Sequence, residues 1–506
     1  MARRSKSRNR SASNSPEAAV VHGGMNGGNY RPLKQTDVER IIDAAYTVLE
    51  RTGIELAPSQ CRDVLLKAGC TVDATSDRIL MPRKVVEQGL STAASEVLLA
   101  GRAPEHDLNL GGSKVYMGTG GSAINIVDLD GSLRETTLVD NYNIGRLVDK
   151  LDHIHFYMRP VVSREIPVEN LDINQYYACM TATKKHVMAN AYDRSSVAEI
   201  RALGEMMVGG ADAFDARPPL SFVACWTVSP LRYAEETVDV VDGIVEHNMP
   251  LVLSSAPQSG ATSPAALAGS LVQIWAEQLS GVAYVNLLNP GHPVIVGCVP
   301  AQADLRTGAY TGSSAEASVM NAACAQIAQH MKLPLYNSAG IAESKTSDSQ
   351  AGIEKVLTSL AAGLSGANYI HHSAGFLESM LTVSFAQYVI DNEVNGQVMR
   401  MVRGIDMSEE ALSIDVIDTA CRTDGHFLNQ PQTMALMKTE YLYPDIINRS
   451  NRADWEADGS MDLREAATKR AELILSENWP SVISDEVDAE IRKRFEILLP
   501  RNVMRP

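Results

Sequence analysis

The sequence predicts an α/β fold, a (β/α)8 TIM barrel with an N-terminal helical segment and a C-terminal helical extension. From residue 115 onward, eight short apolar runs suited to buried strands alternate with segments long enough for crossover helices. Eight such units in a row predict a closed parallel barrel, whose active-site residues collect at the carboxyl ends of the strands. The predicted strands are 115–120, 155–162, 186–191, 220–227, 250–256, 293–299, 334–339 and 368–374.

The rest of the chain divides by composition. Residues 1–30, rich in arginine, serine and glycine, predict a disordered basic tail. Helical apolar spacing over 31–112 predicts an N-terminal helical segment. The barrel is expected over 113–410, and a C-terminal helical extension over 411–506.

Finer elements are predicted inside these segments. Asp130-Gly131, a dipeptide favoured in tight turns, predicts a β-hairpin insertion at 122–137, directly after the first barrel strand. The predicted helices are 36–49, 58–68, 82–93, 138–151, 384–401, 433–440, 463–476 and 487–498.

Composition excludes several classes of function. A net charge of −16 argues against nucleic-acid binding, and no apolar run has the length of a membrane helix. The seven cysteines form no C-x-x-C pair and follow no secretory signal. We therefore expect a soluble cytoplasmic protein, without nucleic-acid or membrane partners and without a disulfide framework.

Several catalytic motifs are absent. The chain has no H-E-x-x-H, no G-x-S-x-G and no P-loop. The glycine-rich run 118–122 precedes a predicted hairpin rather than a helix, which argues against dinucleotide binding. We interpret Gly118 and Gly121 as giving close access at the barrel mouth. We expect no metal site and no cofactor bound tightly by this chain.

Adjacent histidines, His371 and His372, end the eighth predicted strand. Neighbouring strand residues point to opposite faces, so only one imidazole should face the barrel axis. The structural alternative is that one packs behind the barrel and the other is a hydrogen-bonded core histidine. Because strand ends carry function in this fold, we interpret one of the pair as a substrate contact.

Aromatic residues lie near three other strand ends, namely Trp226, Tyr192 and Tyr336. Ring faces attract quaternary ammonium groups by up to ~2 kcal/mol each when desolvated. Any one alone is better explained as packing, but three at strand ends predict an aromatic cage.

The loop after the seventh strand adds polar candidates. Asn337 is a candidate substrate contact, and Glu343 is a candidate for neutralising a cation, with a capping or loop salt-bridge role as its structural alternative. Lys345 as a Schiff-base amine would support a lyase or aldolase, but its position in a loop favours a solvated lysine.

Three ordered blocks of sequence resemble the trimethylamine:corrinoid methyltransferase family. They are 115–151, then 338–340 with 348–355, and 425–428 with Thr433 and 455–459. The resemblance spans roughly residue 30 to the C-terminus. It implies an enzyme that moves a methyl group from a methylated amine to cobalamin supplied by a partner corrinoid protein.

The founding trimethylamine enzymes of this family carry pyrrolysine, whereas this chain uses only the twenty standard residues. The resemblance therefore points to the non-pyrrolysine branch, which includes glycine betaine methyltransferases. It implies that His371 or His372 donates to the betaine carboxylate and that Trp226, Tyr192 and Tyr336 surround the trimethylammonium head. Gly118 and Gly121 would keep the mouth open for the corrin ring.

Other functions stay open at this point. The donor could be carnitine, proline betaine, γ-butyrobetaine or trimethylamine instead of glycine betaine. The alternative from another class is a non-catalytic betaine-binding protein. Barrels of this kind commonly associate through their outer helices, so a homo-oligomer is expected.

Overall fold

The fold is given by a computed structural model, which describes residues 19–423 and 425–505. The strands are β1 (Met25–Asn26), β2 (Thr71–Val72), β3 (Ile79–Leu80), β4 (Val97–Leu99), β5 (Leu108–Leu110), β6 (Lys114–Met117), β7 (Asn125–Val127), β8 (Leu133–Glu135), β9 (Tyr157–Met158), β10 (Val187–Ala189), β11 (Leu220–Ala224), β12 (Thr227–Val228), β13 (Arg232–Tyr233), β14 (Leu251–Ser255), β15 (Gln258–Ser259), β16 (Val294–Cys298), β17 (Ala301–Ala303), β18 (Tyr310–Thr311), β19 (Leu335–Ser338), β20 (Tyr369–His371), β21 (Phe376–Leu377) and β22 (Thr382–Ser384).

The helices lie between and after these strands. They are α1 (Gln35–Arg51), α2 (Gln60–Lys67), α3 (Arg83–Leu90), α4 (Leu138–Asp149), α5 (Val168–Ala182), α6 (Arg194–Val208), α7 (Ala211–Ala216), α8 (Glu235–Glu246), α9 (Leu267–Leu288), α10 (Ala315–Met331), α11 (Ser349–Ser365), α12 (Phe385–Arg403), α13 (Ile414–Arg422), α14 (Pro431–Leu436), α15 (Arg452–Ala457), α16 (Leu463–Glu477) and α17 (Asp485–Arg494).

A curled parallel sheet forms the centre of the molecule. Its strands lie in the order β6-β20-β19-β16-β14-β11-β10-β9, with β1 antiparallel beside β6. All eight predicted strands are confirmed, and each is shorter than predicted. Between the two edges, β6 and β9, the structure has an isolated parallel bridge that joins Gly118 to Phe156.

Burial on both faces explains the apolar strands. Every residue of β14 and β16 is buried, as is typical of parallel strands that are covered by helices. The long helix α9 packs on these two strands and also contacts α1 and α3. The N-terminal helices therefore cover α9 from outside, which explains why its apolar residues are not confined to one face.

A second sheet lies after the carboxyl ends of β6 and β20. The predicted hairpin is confirmed as β7 and β8, and β22 pairs in parallel with β7. The full order of this sheet is β21-β22-β7-β8. Strands β21 and β22 were not predicted, because these short strands lie outside the eight apolar runs and give no periodic signal of their own.

A column of rings fills the interior of the curled sheet. Neighbouring ring centroids lie 3.5 Å (Phe156 and Tyr369), 5.6 Å (Tyr369 and Tyr336), 3.9 Å (Tyr336 and His371), 3.8 Å (His371 and His372) and 5.2 Å (His372 and Phe376) apart. The column connects the sheet core to the small sheet above it. Stacked and edge-on aromatic contacts stabilise such packing beyond the area that they bury.

Several boundary predictions need correction, and the boundaries at 112 and 410 are not tested. The prediction of disorder is wrong at Met25–Asn26, which form a strand that pairs with β6. Residues 1–18 of the predicted tail lie outside the described part of the chain. In the C-terminal extension, α14 and α17 both end earlier than predicted, at Leu436 and Arg494. The segment boundaries at 112 and 410 stay predictions.

The helices of the described ranges include none that combines the length and the apolar character needed to cross a membrane.

Substituting Gly118 tests how tightly the interior is packed. A Cβ at this position would lie 2.4 Å from two carbons of the Phe156 ring, which is itself stacked on Tyr369. Gly118→Ala should therefore lower the free energy of unfolding by about 1–3 kcal/mol, measured by urea denaturation.

The matched control is Gly352→Ala on α11, where nothing lies within 4 Å of the added Cβ. This variant should keep or raise stability, because alanine favours the helix. If Gly118→Ala were as stable as the wild type, the account of the packed interior would be wrong.

Candidate active site

A cavity of about 630 Å³ lies at the carboxyl ends of the parallel strands, within the size range of small-molecule sites. Each of the eight parallel strands, or the loop directly after it, contributes to its wall. The contributing residues include Gly121, Met158, Ala189, Ala224, Ser254, Val299, Tyr336 and His371. The sequence predicts that functional residues lie at this end of the sheet, and the cavity lies there.

His371 is fixed by two contacts. Its ring stacks on Tyr336, and its Nδ1 lies 2.7 Å from the main-chain oxygen of Asn337. A carbonyl oxygen only accepts hydrogen bonds, so Nδ1 carries the proton and the Nε2 of the neutral ring is an acceptor. Burial lowers the pKa of His371 to about 3. The ring is therefore neutral at physiological pH.

His372 also lines the cavity, so the prediction that the two histidines point to opposite faces is wrong. The physical reason is the backbone: strand β20 ends at His371, and His372 has a φ of +64°, which turns its ring back toward its neighbour. Its Nδ1 lies 2.9 Å from the Ser338 hydroxyl oxygen. Burial, followed by the influence of His371 and Lys355, lowers the pKa of His372 well below its usual value.

A buried ion pair near His372 links the loop after β19 to the loop after β20. Lys355 Nζ donates to Asp391 at 2.9 Å and to the main-chain oxygen of Gly340 at 2.7 Å. The same carboxylate accepts a hydrogen bond from the N–H of Gly375 at 2.7 Å. Because Gly340 follows β19 and Gly375 follows β20, the pair holds both strand ends in place. Removing one partner would leave a buried charge uncompensated.

The predicted aromatic residues separate into two groups. Tyr336 and Tyr192 line the cavity, Tyr336 buried in its wall and Tyr192 exposed at its rim. Trp226 does not line it. Its fully buried ring packs on Tyr233, with a centroid distance of 4.0 Å, and against Gly281 of α9. The expectation that Trp226 presents a face at the mouth is therefore corrected to core packing.

Asn337 and Glu343 lie outside the cavity wall. The Asn337 side chain donates to the main-chain oxygen of Cys298 at 3.1 Å. Only the main-chain carbonyl of Asn337 reaches the site, where it accepts the hydrogen bond of His371. The Glu343 carboxylate accepts hydrogen bonds from the N–H groups of Gly312 and Ser313. These contacts fit the alternative role of Glu343 as a capping or loop residue, and burial raises its pKa.

The two predicted glycines also differ. Gly121 lines the cavity and has a φ of +98°, and a Cβ there would meet the ring of Phe376 at 2.7 Å. Gly118 packs against Phe156 in the interior instead, so it does not open the mouth. Gly121 is needed for its left-handed backbone and for the close approach of Phe376.

The wall residues that sequence reasoning missed include Arg159 and Tyr310. Arg159 directly follows β9, and a charged residue inside a predicted buried strand is a signal that was present in the sequence. Tyr310 lies on β18, a two-residue strand in a long loop that gives no such signal.

The turn between β21 and β22 covers one side of the cavity. Ser379, Met380 and Leu381 line it. Glu378, Ser379 and Met380 have φ values of +51°, +53° and +78°, in the left-handed region that non-glycine residues avoid. Such backbone strain costs about 1–3 kcal/mol per residue and collects at ligand sites.

The wall offers groups that can bind and orient a small ligand. Within residues 19–423 and 425–505, no group of three His, Cys, Asp or Glu side chains is arranged to hold a metal ion. The neutral histidines offer hydrogen-bond acceptors and donors, the tyrosines offer ring faces, and Arg159 offers a positive charge. This combination suits a small ligand that carries both an apolar cationic group and an anionic group.

The chain is similar in sequence to proteins named as trimethylamine and glycine betaine methyltransferases. A family model described as trimethylamine methyltransferase (MTTB) matches residues 1–496. The glycine betaine methyltransferase of Desulfitobacterium hafniense (strain Y51) is 29% identical over 464 residues, 92% of this chain and 96% of that protein. The trimethylamine methyltransferase MttB of Desulfitobacterium hafniense (strain DSM 10664 / DCB-2) is 31% identical over 450 residues, 89% of this chain and 90% of that protein.

Among solved structures, the Methanosarcina barkeri monomethylamine methyltransferase (MtmB) aligns with a TM-score of 0.46 and 12% sequence identity. The alignment covers 89% of this chain and 95% of that chain.

The low pKa of His371 predicts how stability depends on pH. Between the unfolded pKa of about 6.5 and the folded value of about 3, the unfolded chain binds a proton at this site that the folded protein does not. This contribution to stability is therefore fully present above pH 6.5 and is lost as the pH falls toward 3. His371→Gln should reduce the slope of unfolding free energy against pH by about 1.4 kcal/mol per pH unit between pH 6 and 4.

Urea denaturation at several pH values measures that slope. The control His426→Gln replaces an exposed histidine and should leave the slope at the wild-type value. An unchanged slope in His371→Gln would contradict the assignment of a buried, neutral imidazole.

Proposed function

Since this chain belongs to the trimethylamine methyltransferase (MTTB) family of enzymes, we propose that it transfers a methyl group from a quaternary amine to the cobalt(I) of a separate corrinoid protein. We propose glycine betaine as the donor, in line with the name of one relative. The observation that carries the proposal is the cavity at the strand ends, where aromatic rings and neutral imidazoles meet. Such a wall favours a quaternary ammonium group.

The chemistry of the leaving group favours a donor that is already quaternary. Removing a methyl from a trimethylammonium nitrogen leaves a neutral amine, so no general acid is needed. A tertiary amine would leave an amide anion unless it were first protonated or quaternised. This chain has only the twenty standard residues with which to assist that step.

The side chains of the cavity then have to bind, orient and desolvate the donor. Tyr336 and Tyr192 contact the trimethylammonium head, and the neutral rings of His371 and His372 place no positive charge beside it. Holding the methyl in line for attack and excluding water would supply the rate enhancement. When the corrinoid protein binds, its cobalt(I) supplies the nucleophile.

Of the two histidines, His372 is the better candidate for donating to a carboxylate. The Nε2 of neutral His371 only accepts, because its Nδ1 proton is directed to Asn337. His372 pairs with a hydroxyl group, which both donates and accepts, so either tautomer is compatible.

The corrinoid protein is proposed to approach from the open side of the cavity. Tyr192, with 56% of its surface exposed, marks this rim, and Gly121 is the predicted glycine that lines it. We propose no role toward the corrin for Gly118, since its neighbour Phe156 fills the space beside it.

Three further features belong to the proposal. The bridge from Gly118 to Phe156 supports a closed (β/α)8 barrel. Unpaired cysteines at all seven positions support a cytoplasmic enzyme. Many large apolar side chains between Ile405 and Tyr443 are exposed, which supports a homo-oligomer that covers them.

A panel of donors tests the reaction. With a reduced corrinoid protein, glycine betaine should remove the cobalt(I) absorbance band and produce methyl-cobalt, whereas trimethylamine should not. The panel also includes carnitine, proline betaine and γ-butyrobetaine. If one of these were turned over faster than glycine betaine, that compound would be the proposed donor instead.

Turnover of trimethylamine would contradict the argument for a quaternary donor. Tight binding of glycine betaine without any demethylated product would favour a non-catalytic betaine-binding protein.

Two aromatic substitutions test the assignment of the cavity wall. Tyr192→Ala should weaken glycine betaine binding roughly two- to fivefold, the range expected for a cation–π contact at an exposed site. Its stability should change little, because the ring is largely exposed. The control Trp226→Phe should lower the melting temperature and leave the Kd unchanged, because Trp226 lies outside the cavity wall.

Isothermal titration calorimetry and thermal unfolding give the two readouts. A weaker Kd for Trp226→Phe together with an unchanged Kd for Tyr192→Ala would reverse the assignment.

A further inference from the structure

We infer that Arg159 binds the carboxylate of the donor, so that the pocket selects zwitterionic betaines over simple alkylammonium cations. This inference rests on the proposed function for the quaternary nitrogen and deepens it. It adds a specificity-determining residue and a substrate class defined by charge.

Arg159 is buried in the cavity wall, with 7% of its surface exposed. Its guanidinium donates to the main-chain oxygen of Val161 at 3.1 Å, to the Ser122 hydroxyl at 3.2 Å and to the side-chain oxygen of Asn190 at 2.6 Å. These acceptors are all neutral. The Nε of Arg159 is buried without a hydrogen-bond partner. The side chain is therefore held in place without being neutralised.

Within the described ranges, no carboxylate forms a salt bridge with Arg159, although Asp172 is close enough to interact with it electrostatically. No Asp or Glu oxygen there comes within 4.0 Å of its nitrogens. The nearby Asp172 instead accepts a hydrogen bond from the N–H of Tyr192 at 2.6 Å, and burial raises its pKa. A buried charge without a partner is strongly unfavourable, so a ligand that brings a carboxylate would be bound tightly here.

The charge of the whole cavity wall also favours a ligand that carries a carboxylate. In the described part of the chain, the residues lining the cavity include no Asp, Glu or Lys, so Arg159 supplies their one permanent charge. The lining histidines, His371 and His372, are neutral. An alkylammonium ion alone would add a second positive charge to this desolvated space. A betaine brings both signs, and its carboxylate matches the fork of guanidinium donors.

Burial alone does not identify a ligand-binding arginine, as Arg146 on α4 shows. Arg146 is also buried and has neutral acceptors, but each of its three side-chain nitrogens is partnered, by Asn478, Asn143 and Leu475. Its guanidinium stacks on Trp479 away from the cavity. Arg159 differs because it lines the cavity and retains an unpartnered nitrogen, and Arg146 is therefore a matched control.

Calorimetric titration of the full chain, without any corrinoid protein, tests the inference. The ligands are glycine betaine, its neutral amide (trimethylglycinamide) and tetramethylammonium. The wild type should bind glycine betaine at least about tenfold more tightly than the other two, as expected for a charged hydrogen bond. Arg159→Gln should remove this difference by weakening glycine betaine alone. Arg159→Lys should retain part of it, and Arg146→Gln should retain all of it.

Equal wild-type affinities for the three ligands, or an Arg159→Gln variant that keeps the wild-type preference, would overturn the inference. So would a failure of the wild type to bind glycine betaine. If Arg159→Gln does not fold, the wild-type ligand comparison and Arg159→Lys still decide. Because no methyl transfer is measured, failure of the proposed reaction would appear separately, as carboxylate-selective binding without turnover in the donor panel.

Discussion

The column of rings that runs from Phe156 in the sheet interior to Phe376 above it sets the geometry of the candidate site. Its upper members are the imidazoles of His371 and His372, which follow Tyr336 in the stack. Stacking fixes the plane of each ring, and the hydrogen bonds to Asn337 and Ser338 fix its rotation. The surface that the histidines present to the cavity is therefore set by the core of the protein.

This packing also determines the charge of the site. Rings stacked in a buried column lose contact with water, and desolvation keeps both imidazoles neutral. The positive charge of the wall is left to Arg159, which is held by neutral acceptors. The ion pair of Lys355 and Asp391 stabilises the turn at His372 but does not line the cavity. A site of this kind separates a trimethylammonium region from a carboxylate region.

Much of the fold could be predicted from the sequence, because buried parallel strands give continuous apolar runs. All eight strands follow that rule, and the hairpin of β7 and β8 was predicted instead from its Asp130-Gly131 turn. The position of the cavity followed from the fold. Short strands such as β21 and β18 could not be predicted, since their pairing depends on distant residues.

The individual site residues were harder to predict, for physical reasons that differ between them. The alternation rule failed at His372, because its left-handed backbone ends the strand. Trp226 is at a strand end, yet its ring packs outward against α9, and sequence gives no direction for a side chain beyond the strand. Arg159 was visible as a charge in an apolar run, but its missing counter-ion is a property of the folded protein.

A crystal structure of the protein with glycine betaine bound would test the central claim most directly. We predict that the carboxylate lies at hydrogen-bond distance, about 2.7–2.9 Å, from the Arg159 guanidinium. We also predict that the trimethylammonium head lies against Tyr336 and His371. A bound betaine with its carboxylate away from Arg159, or with its ammonium group beside that arginine, would contradict the account.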